Sequence, residues 1–320
     1  MGACTTEDFN TIAINEIPDH FPELVHPEDN DYSYDRWSLG KSLFFDPVMS
    51  RDSSISCASC HLQEFAFSDK NVTSIGIENR VGTRNVPPLF NLAYHPYFTR
   101  EGSVPTLEMQ VLVPIQEHDE MDFNIVLIAE RLNMDSSYVR MSQEAYGRNP
   151  DAFVISRALA CFERSLISGQ SKYDDYLLTG RGLTDDEIAG EALFFDVRLK
   201  CAFCHSGFNF TNYSFQNNGL YTEYDDPGRF RFSQDSSELS VFKVPSLRNI
   251  ELTAPYMHDG SMETLEEIID HYASGGANHF NKSNYIDGFE ISDEEKQQLI
   301  SFLKSLTDQE FINNPNFYEN

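Results

Sequence analysis

Cys57-Ala58-Ser59-Cys60-His61 and Cys201-Ala202-Phe203-Cys204-His205 decide how this chain is built. Two thiols three positions apart sit on one side of a helical turn, where they can add to the two vinyl groups of a porphyrin. The histidine that follows then faces the iron as its proximal ligand. A redox-active thiol pair, or half of a zinc site at each motif, would ask for no histidine at the fifth position, yet one follows both pairs. The two runs are therefore read as covalent c-type haem sites, Cys57 and Cys60 with His61, and Cys201 and Cys204 with His205.

The sequence around the motifs is also parallel. Gly40-x-x-Leu43-Phe44-Phe45-Asp46 precedes the first, and Gly190-x-x-Leu193-Phe194-Phe195-Asp196 the second. Downstream, Val86-Pro87-x-Leu89-x-Asn91 matches Val244-Pro245-x-Leu247-x-Asn249, and Gly102-Ser103-x-x-Thr106-Leu107-Glu108 matches Gly260-Ser261-x-x-Thr264-Leu265-Glu266 at the same offset. Similarity across half the chain implies a duplicated unit rather than a short-period solenoid. The expected fold is mainly α, two cytochrome-c-like haem domains related by internal duplication, with few short β-hairpins.

Composition narrows the function. Among 320 residues, 23 Lys and Arg face 51 Asp and Glu, a net charge of −28 that would repel nucleic-acid phosphates and anionic lipid heads. With 40% hydrophobic and 13% aromatic residues the chain can bury a core, so disorder is excluded. No run of about 18 apolar residues is present to span a membrane.

Residues 1–30 are acidic and interrupted by Pro18, Pro22 and Pro27, and are read as a leader that wraps the surface or is partly loose. Residues 31–165 are assigned to an N-terminal haem domain closed by an amphipathic helix through Phe153, Val154, Leu159, Phe162 and Leu166. Residues 166–320 form the C-terminal haem domain, with Gly180-Arg181-Gly182 as the linker. Thr184-Asp185-Asp186-Glu187 and Ser292-Asp293-Glu294-Glu295 are capping boxes that open helices. Phe208–Phe215 is β-prone but flanked by Asn and Gly, which predicts loops or brief hairpins.

With these motifs in hand, residues 35–310 resemble the bacterial di-haem cytochrome c peroxidases and their MauG-type relatives. Leu39-Gly40-Lys41, Arg84-Asn85, Phe242-Lys243-Val244-Pro245-Ser246-Leu247-Arg248-Asn249 and Ala254-Pro255-Tyr256-Met257-His258-Asp259-Gly260 carry the likeness. The resemblance implies a peroxidatic haem in the N-terminal domain, an electron-transfer haem in the C-terminal domain and a calcium ion between them. It places Gln110 and Glu120 over the first haem, where one carboxylate can take a proton from one peroxide oxygen and return it to the other. The ordinary alternative for Glu120 is one more surface acid. Asn85, Thr253 and Pro255 fall at the implied calcium ligands, oxygen donors that suit a hard cation.

Three positions depart from the peroxidase pattern. Ile77 stands where peroxidases needing reductive activation carry a ligating histidine, so the first iron is expected to be five-coordinate. Tyr272 replaces the usual methionine as sixth ligand of the second haem, as in MauG-type enzymes, with Met257, Met262 and His271 as alternatives. A phenolate there would favour ferric iron. Arg100 replaces the tryptophan usually found between the haems. Arginine cannot carry a hole, so Arg100 is assigned to a haem propionate, as is His258, and electrons would run through Tyr97, Phe98 or the porphyrin edges. Trp37, the single tryptophan, lies elsewhere.

Met1-Gly2-Ala3-Cys4 resembles the end of a lipoprotein signal, with either a lipid anchor on Cys4 or a plain thiol after an engineered start. Cys161 is expected in the core, and His20, His26, His95, His118 and His279 in surface or satisfied polar roles. Bacterial haem attachment occurs on the periplasmic side, so the chain is expected there as a mature part trimmed of its signal, with a homodimer left open. The implied activity is reduction of hydrogen peroxide with electrons from a small cytochrome c or cupredoxin. Alternatives are a MauG-type oxidase acting on a partner protein's Tyr or Trp, and a plain two-haem electron carrier.

Overall fold

The computed structural model describes residues 17–319, so Cys4 lies outside the described residues. Helices dominate. In the first half these are α1 (Tyr34–Phe45), α2 (Leu107–Gln110), α3 (Leu112–Gln116), α4 (Ile125–Asn133), α5 (Ser136–Tyr146) and α6 (Ala152–Arg164). In the second half α7 (Lys172–Thr179), α8 (Asp185–Phe195) and α9 (Cys201–Cys204) lead to strand β1 (Phe215–Gln216), α10 (Phe230–Ser233) and strand β2 (Phe242–Lys243). Then follow α11 (Leu265–Ser274), α12 (Asp293–Lys304) and α13 (Gln309–Ile312). None of the described helices is long and apolar enough to cross a membrane.

The expected helix starts are in place. The Asp151 carboxylate accepts from the Val154 amide and opens α6, whose Val154, Leu159 and Phe162 are buried. Thr184 and Ser292 each accept from the amide three residues on, while Glu187 and Glu295 reach back, so both capping boxes are complete. In each half the helix before the haem motif packs on a later one, α1 on α6 and α8 on α12. At the crossings a Cβ on Gly40 would run into the Ala158 carbonyl, and one on Gly190 into that of Gln298. The glycines let the helix backbones approach.

Two apolar cores result. The first gathers Leu43, Phe44, Phe67, Ile115, Leu159 and Phe162, together with Phe311 and Phe317 from the end of the chain. The second gathers Phe194, Phe210, Ile269, Phe302, Leu306 and also Tyr173. The terminal segment, expected with the C-terminal half, thus returns to the first core. Tyr173 in the second core also places the crossing between halves before α7. Gly180-Arg181-Gly182 is therefore not the linker: Gly180, at φ 69°, ends α7 within the second half.

The crossing segment is held by buried polar groups. Asn91 donates to the Ser168 carbonyl at 2.8 Å and accepts from its amide at 2.9 Å. Asp308 accepts from the Ser168 hydroxyl and the amides of Gly169 and Gln170. The leader closes over it, with Phe21 against Phe208 at 4.6 Å and His20 on Asp174 at 2.8 Å.

Sheet is minimal. Strands β1 and β2 pair antiparallel, Phe215 opposite Lys243, but a long excursion separates them and they form no hairpin. Within Phe208–Phe215 the Tyr213 amide turns to the Thr211 hydroxyl and the Ser214 amide to Asn212. Those local bonds compete with a ladder. Short loops elsewhere are closed by single antiparallel bridges, Phe98 with Val104 and Tyr256 with Met262.

Candidate active site

Each haem motif folds as one tight turn, the His61 amide bonding to Cys57 O at 3.0 Å and the His205 amide to Cys201 O at 2.9 Å. Behind each histidine the chain bends through left-handed backbone, φ 60° at Phe67 and 49° at Phe210. This turns a carbonyl onto the ring: His61 Nδ1 donates to Phe67 O at 2.7 Å and His205 Nδ1 to Phe210 O at 3.1 Å. Nε2 is thereby left for a metal, the usual arrangement around a ligating imidazole. Burial holds both rings neutral, down to about 4, as ligation requires.

Cys57, Cys60, Cys201 and Cys204 are all unpaired, and no disulfide joins any of the described residues. In the second half a cavity of about 280 Å³ opens over Cys201, Cys204 and His205, with Leu303, Ile269 and Tyr272 on its walls. Thiols, oriented imidazole and apolar walls fit a covalently attached haem, and the thiols and imidazole of the first half repeat the set.

Over the first motif, residues 75–77 lie beside 119–120. Ile77 is wholly buried and its amide donates to Glu120 O at 3.0 Å. Gly76 leaves no room for a Cβ against the carbonyls of Asp119 and Glu120, and Cys60 Sγ approaches Ile75 O at 3.8 Å. Glu120 is half-buried. Burial, then the charges of Glu117 and Asp119, push its carboxyl up to about 7, and its charge acts on the thiols of Cys57 and Cys60. Gln110 ends α2 half-buried, and no hydrogen bond joins it to Glu120.

Among the four candidates for the sixth position of the second haem, Tyr272 and Met257 line the cavity. His271 Nε2 meets the Asn218 carbonyl at 3.0 Å, and Met262 packs on the second core. The Asn218 amide, which no sequence pattern singles out, donates to Met257 Sδ at 3.2 Å and also bonds the Tyr272 side chain. Burial pushes the Tyr272 phenol up to about 12.

Asn85, Thr253, Pro255, Arg100 and His258 meet at the rim of the same cavity. Asn85 does not offer its oxygens freely: Arg100 Nη2 donates to its carbonyl at 2.8 Å and to its Oδ1 at 3.2 Å. With a guanidinium on the one side-chain amide oxygen of the set, and the Thr253 hydroxyl turned to Ile250 O at 3.4 Å, these residues do not fit calcium. His258 stacks on Phe242 at 4.4 Å. Trp37 donates to the Ser165 hydroxyl inside the first core, where Cys161 is also buried. His118 meets Arg80 at the surface.

The family described as di-haem cytochrome c peroxidase matches residues 34–182. The methylamine utilization protein MauG of Methylorubrum extorquens is 36% identical over 89% of this chain and 82% of its own length. Cytochrome c551 peroxidase of Nitrosomonas europaea is 32% identical over 89% and 82%. A crystal structure of a MauG-like protein associated with microbial copper homeostasis superposes with a TM-score of 0.90 at 34% identity, covering 95% of this chain and 98% of that one. Thiol pairs, oriented imidazoles and relatives agree: the chain belongs to the di-haem cytochrome c peroxidase family and is a peroxide-dependent oxidoreductase with two c-type haems.

Proposed function

We propose that this enzyme reduces hydrogen peroxide at the N-terminal haem with electrons that enter singly through the C-terminal haem from a small cytochrome c or cupredoxin. Two electrons and two protons convert each peroxide to two waters. The haems, when bound, supply the iron at which the O–O bond breaks and the path for the electrons. The protein supplies the proton transfer. The placement of half-buried Glu120 beside Ile77, with its carboxyl pushed up to about 7, carries this assignment, because such a group can accept a proton from one oxygen and release it to the other at neutral pH. Ile77, apolar and wholly buried beside it, offers no atom that could ligate the iron.

Tyr272 is assigned as sixth ligand of the second haem, and Arg100 and His258 to its propionates. Calcium has no part, since Arg100 engages its Asn85 ligand. The two haem domains are taken as copies of one ancestral unit, a view supported by matching glycine crossings, histidine-to-carbonyl bonds and single-bridge loops. Covalent haem assembly argues for the periplasm.

A MauG-type oxidase, taking electrons from a Tyr or Trp of a partner protein, is the second assignment. Tyr272 in the cavity and the MauG relatives favour it. Peroxide turnover with a reduced cytochrome as donor separates the two. Rapid multiple turnover is expected; oxidation of no more than one equivalent of donor would transfer the assignment to the oxidase.

A further inference from the structure

We propose that the Arg100 guanidinium is the resident cation of the rim between the two halves, standing where calcium is implied by resemblance, so that this enzyme needs no divalent ion there. Asn85 directs its backbone carbonyl and its side-chain oxygen at one point, and Arg100 Nη2 occupies it at 2.8 and 3.2 Å. Calcium takes about six to eight oxygens. Here the only side-chain amide oxygen among Asn85, Thr253 and Pro255 already holds a positive group, which would repel a second cation placed beside it.

The guanidinium is also aimed at a ligand of its own. Arg100 lines the cavity, and its Nε is buried with no partner among the described residues. Buried donors are seldom left so. A carboxylate of the haem in that cavity would complete the hydrogen bonds and place the guanidinium between Asn85 and the cofactor. The backbone around Arg100 is fixed in place. Arg100 O accepts from the Lys243 amide at 2.7 Å, and Arg229 Nη1 donates to the next carbonyl, that of Glu101, at 2.8 Å.

The opposite rim also carries a cation, supplied from a different position of the repeat. In the register of the repeats Asn85 matches Lys243, Tyr97 matches Pro255 and Arg100 matches His258. The contacts obey that register, because the Asn85 amide donates to His258 O at 2.9 Å as the Lys243 amide donates to Arg100 O. On this second rim Lys243 Nζ donates to Tyr97 O at 2.8 Å, and Tyr97 is the counterpart of Pro255. His95, the counterpart of Thr253, lies 3.4 Å from the same ammonium. Each rim therefore carries a cation from its own sequence.

Metal analysis of the holoprotein as purified tests this. No stoichiometric calcium is expected, and the optical spectra of both haems should be unmoved by EGTA. Retention of about one calcium per chain, or a spectrum that shifts with EGTA and returns with calcium chloride, overturns it. Arg100→Ala frees Asn85, so calcium chloride should raise the melting temperature of the variant but not of the parent. A variant indifferent to calcium would overturn the rim as a cation site; if the variant fails to fold, the calcium content of the parent decides alone.

Discussion

Phe90 and Arg248 occupy the same place in the two halves, each between a leucine and an asparagine of the repeated motif, and both are buried to within 2% of their surface. In the first half Phe90 meets Phe311 edge to face at 6.4 Å and the site is sealed by apolar contact. In the second, Arg248 makes two bonds of 2.8 Å to Asp174, which also accepts from Ser171 and His20, while Phe21 lies 4.8 Å from the guanidinium. Matching sequence positions are closed by an aromatic ring in one half and by an ion pair in the other. The ion pair costs desolvation but ties α7, the leader and the β2 loop to one point, so the halves share the turn that orients thiols and imidazole while differing in what surrounds it. The surroundings of the motifs differ in the same sense: a half-buried acid beside Ile77 near the first, a phenol and a thioether in the cavity over the second.

Removing the acid should break this difference most. Glu120→Gln is expected to lower peroxide turnover by about 10²–10⁴-fold, the span of one general acid–base group. The carboxylate form must take the first proton, so parent kcat/KM for peroxide should fall as pH drops through about 7, and this acid limb should vanish in the variant. Steady-state rates from pH 5 to 9 measure both; a variant with the parent's rate and profile would remove Glu120 from the chemistry.

The two ways of closing the frame differ next. Arg248→Phe copies the first half but strands a buried carboxylate, which should cost about 3–5 kcal/mol, whereas Arg248→Phe with Asp174→Leu should recover most of it. Denaturant midpoints compare the variants; equal losses in single and double would mean that the pair is not the element that matters. Burial alone would raise the Asp174 carboxyl, but Arg248 and Ser171 outweigh it and hold it down to about 2. A depressed acid stabilises above its unfolded value near 4 and loses that contribution as pH falls toward 2, so the parent should lose more stability in that window than the double variant, in which Asp226 and Asp259 are still held down.

What could be read in advance was local. Haem thiols three apart, a histidine beside them and capping boxes at Thr184 and Ser292 are set by neighbours in sequence. Glu120 and Tyr272 came from resemblance, and the structure places the first beside the haem thiols of its half and the second in the cavity. Arg248 with Asp174, Asn218 beneath the two candidate ligands, and the return of Phe311 and Phe317 join residues far apart in the chain and leave no local pattern. The carbonyls of Phe67 and Phe210 were invisible because every residue has one. Gly180 misled because a glycine that ends a helix and one that joins domains look alike in sequence.

Exchanging the proposed ligand on one side should leave the other half untouched. Tyr272→Phe is expected to change the optical and paramagnetic spectra of the second haem and to raise its potential, because a phenolate stabilises ferric iron. The spectrum of the first haem should not move, and Met257→Leu should alter neither. An unchanged second-haem spectrum in Tyr272→Phe, or a changed one in Met257→Leu, would hand the position to the thioether.

The smallest effect concerns the outer edge of the haem motifs. In the first motif the exposed, polar Ser59 accepts from the Ser56 amide at 3.0 Å; in the second the matching Phe203 is 46% exposed and packs on Tyr285 at 5.3 Å. An apolar, open edge on one side only suits electron entry there, and Phe203→Ser should slow donor oxidation a few-fold without altering peroxide affinity. The net charge of −28 invites a steered basic donor, yet near this edge the acids are partly neutralised, Asp287 by Lys200 and Glu295 by Arg198. Steering needs an excess of one sign within about 8–10 Å of the contact. The on-rate for a reduced basic cytochrome should therefore change little from low to physiological salt. A steep fall would show that acids beyond these pairs reach the donor, and Phe203→Ser would then weaken turnover less than the salt does.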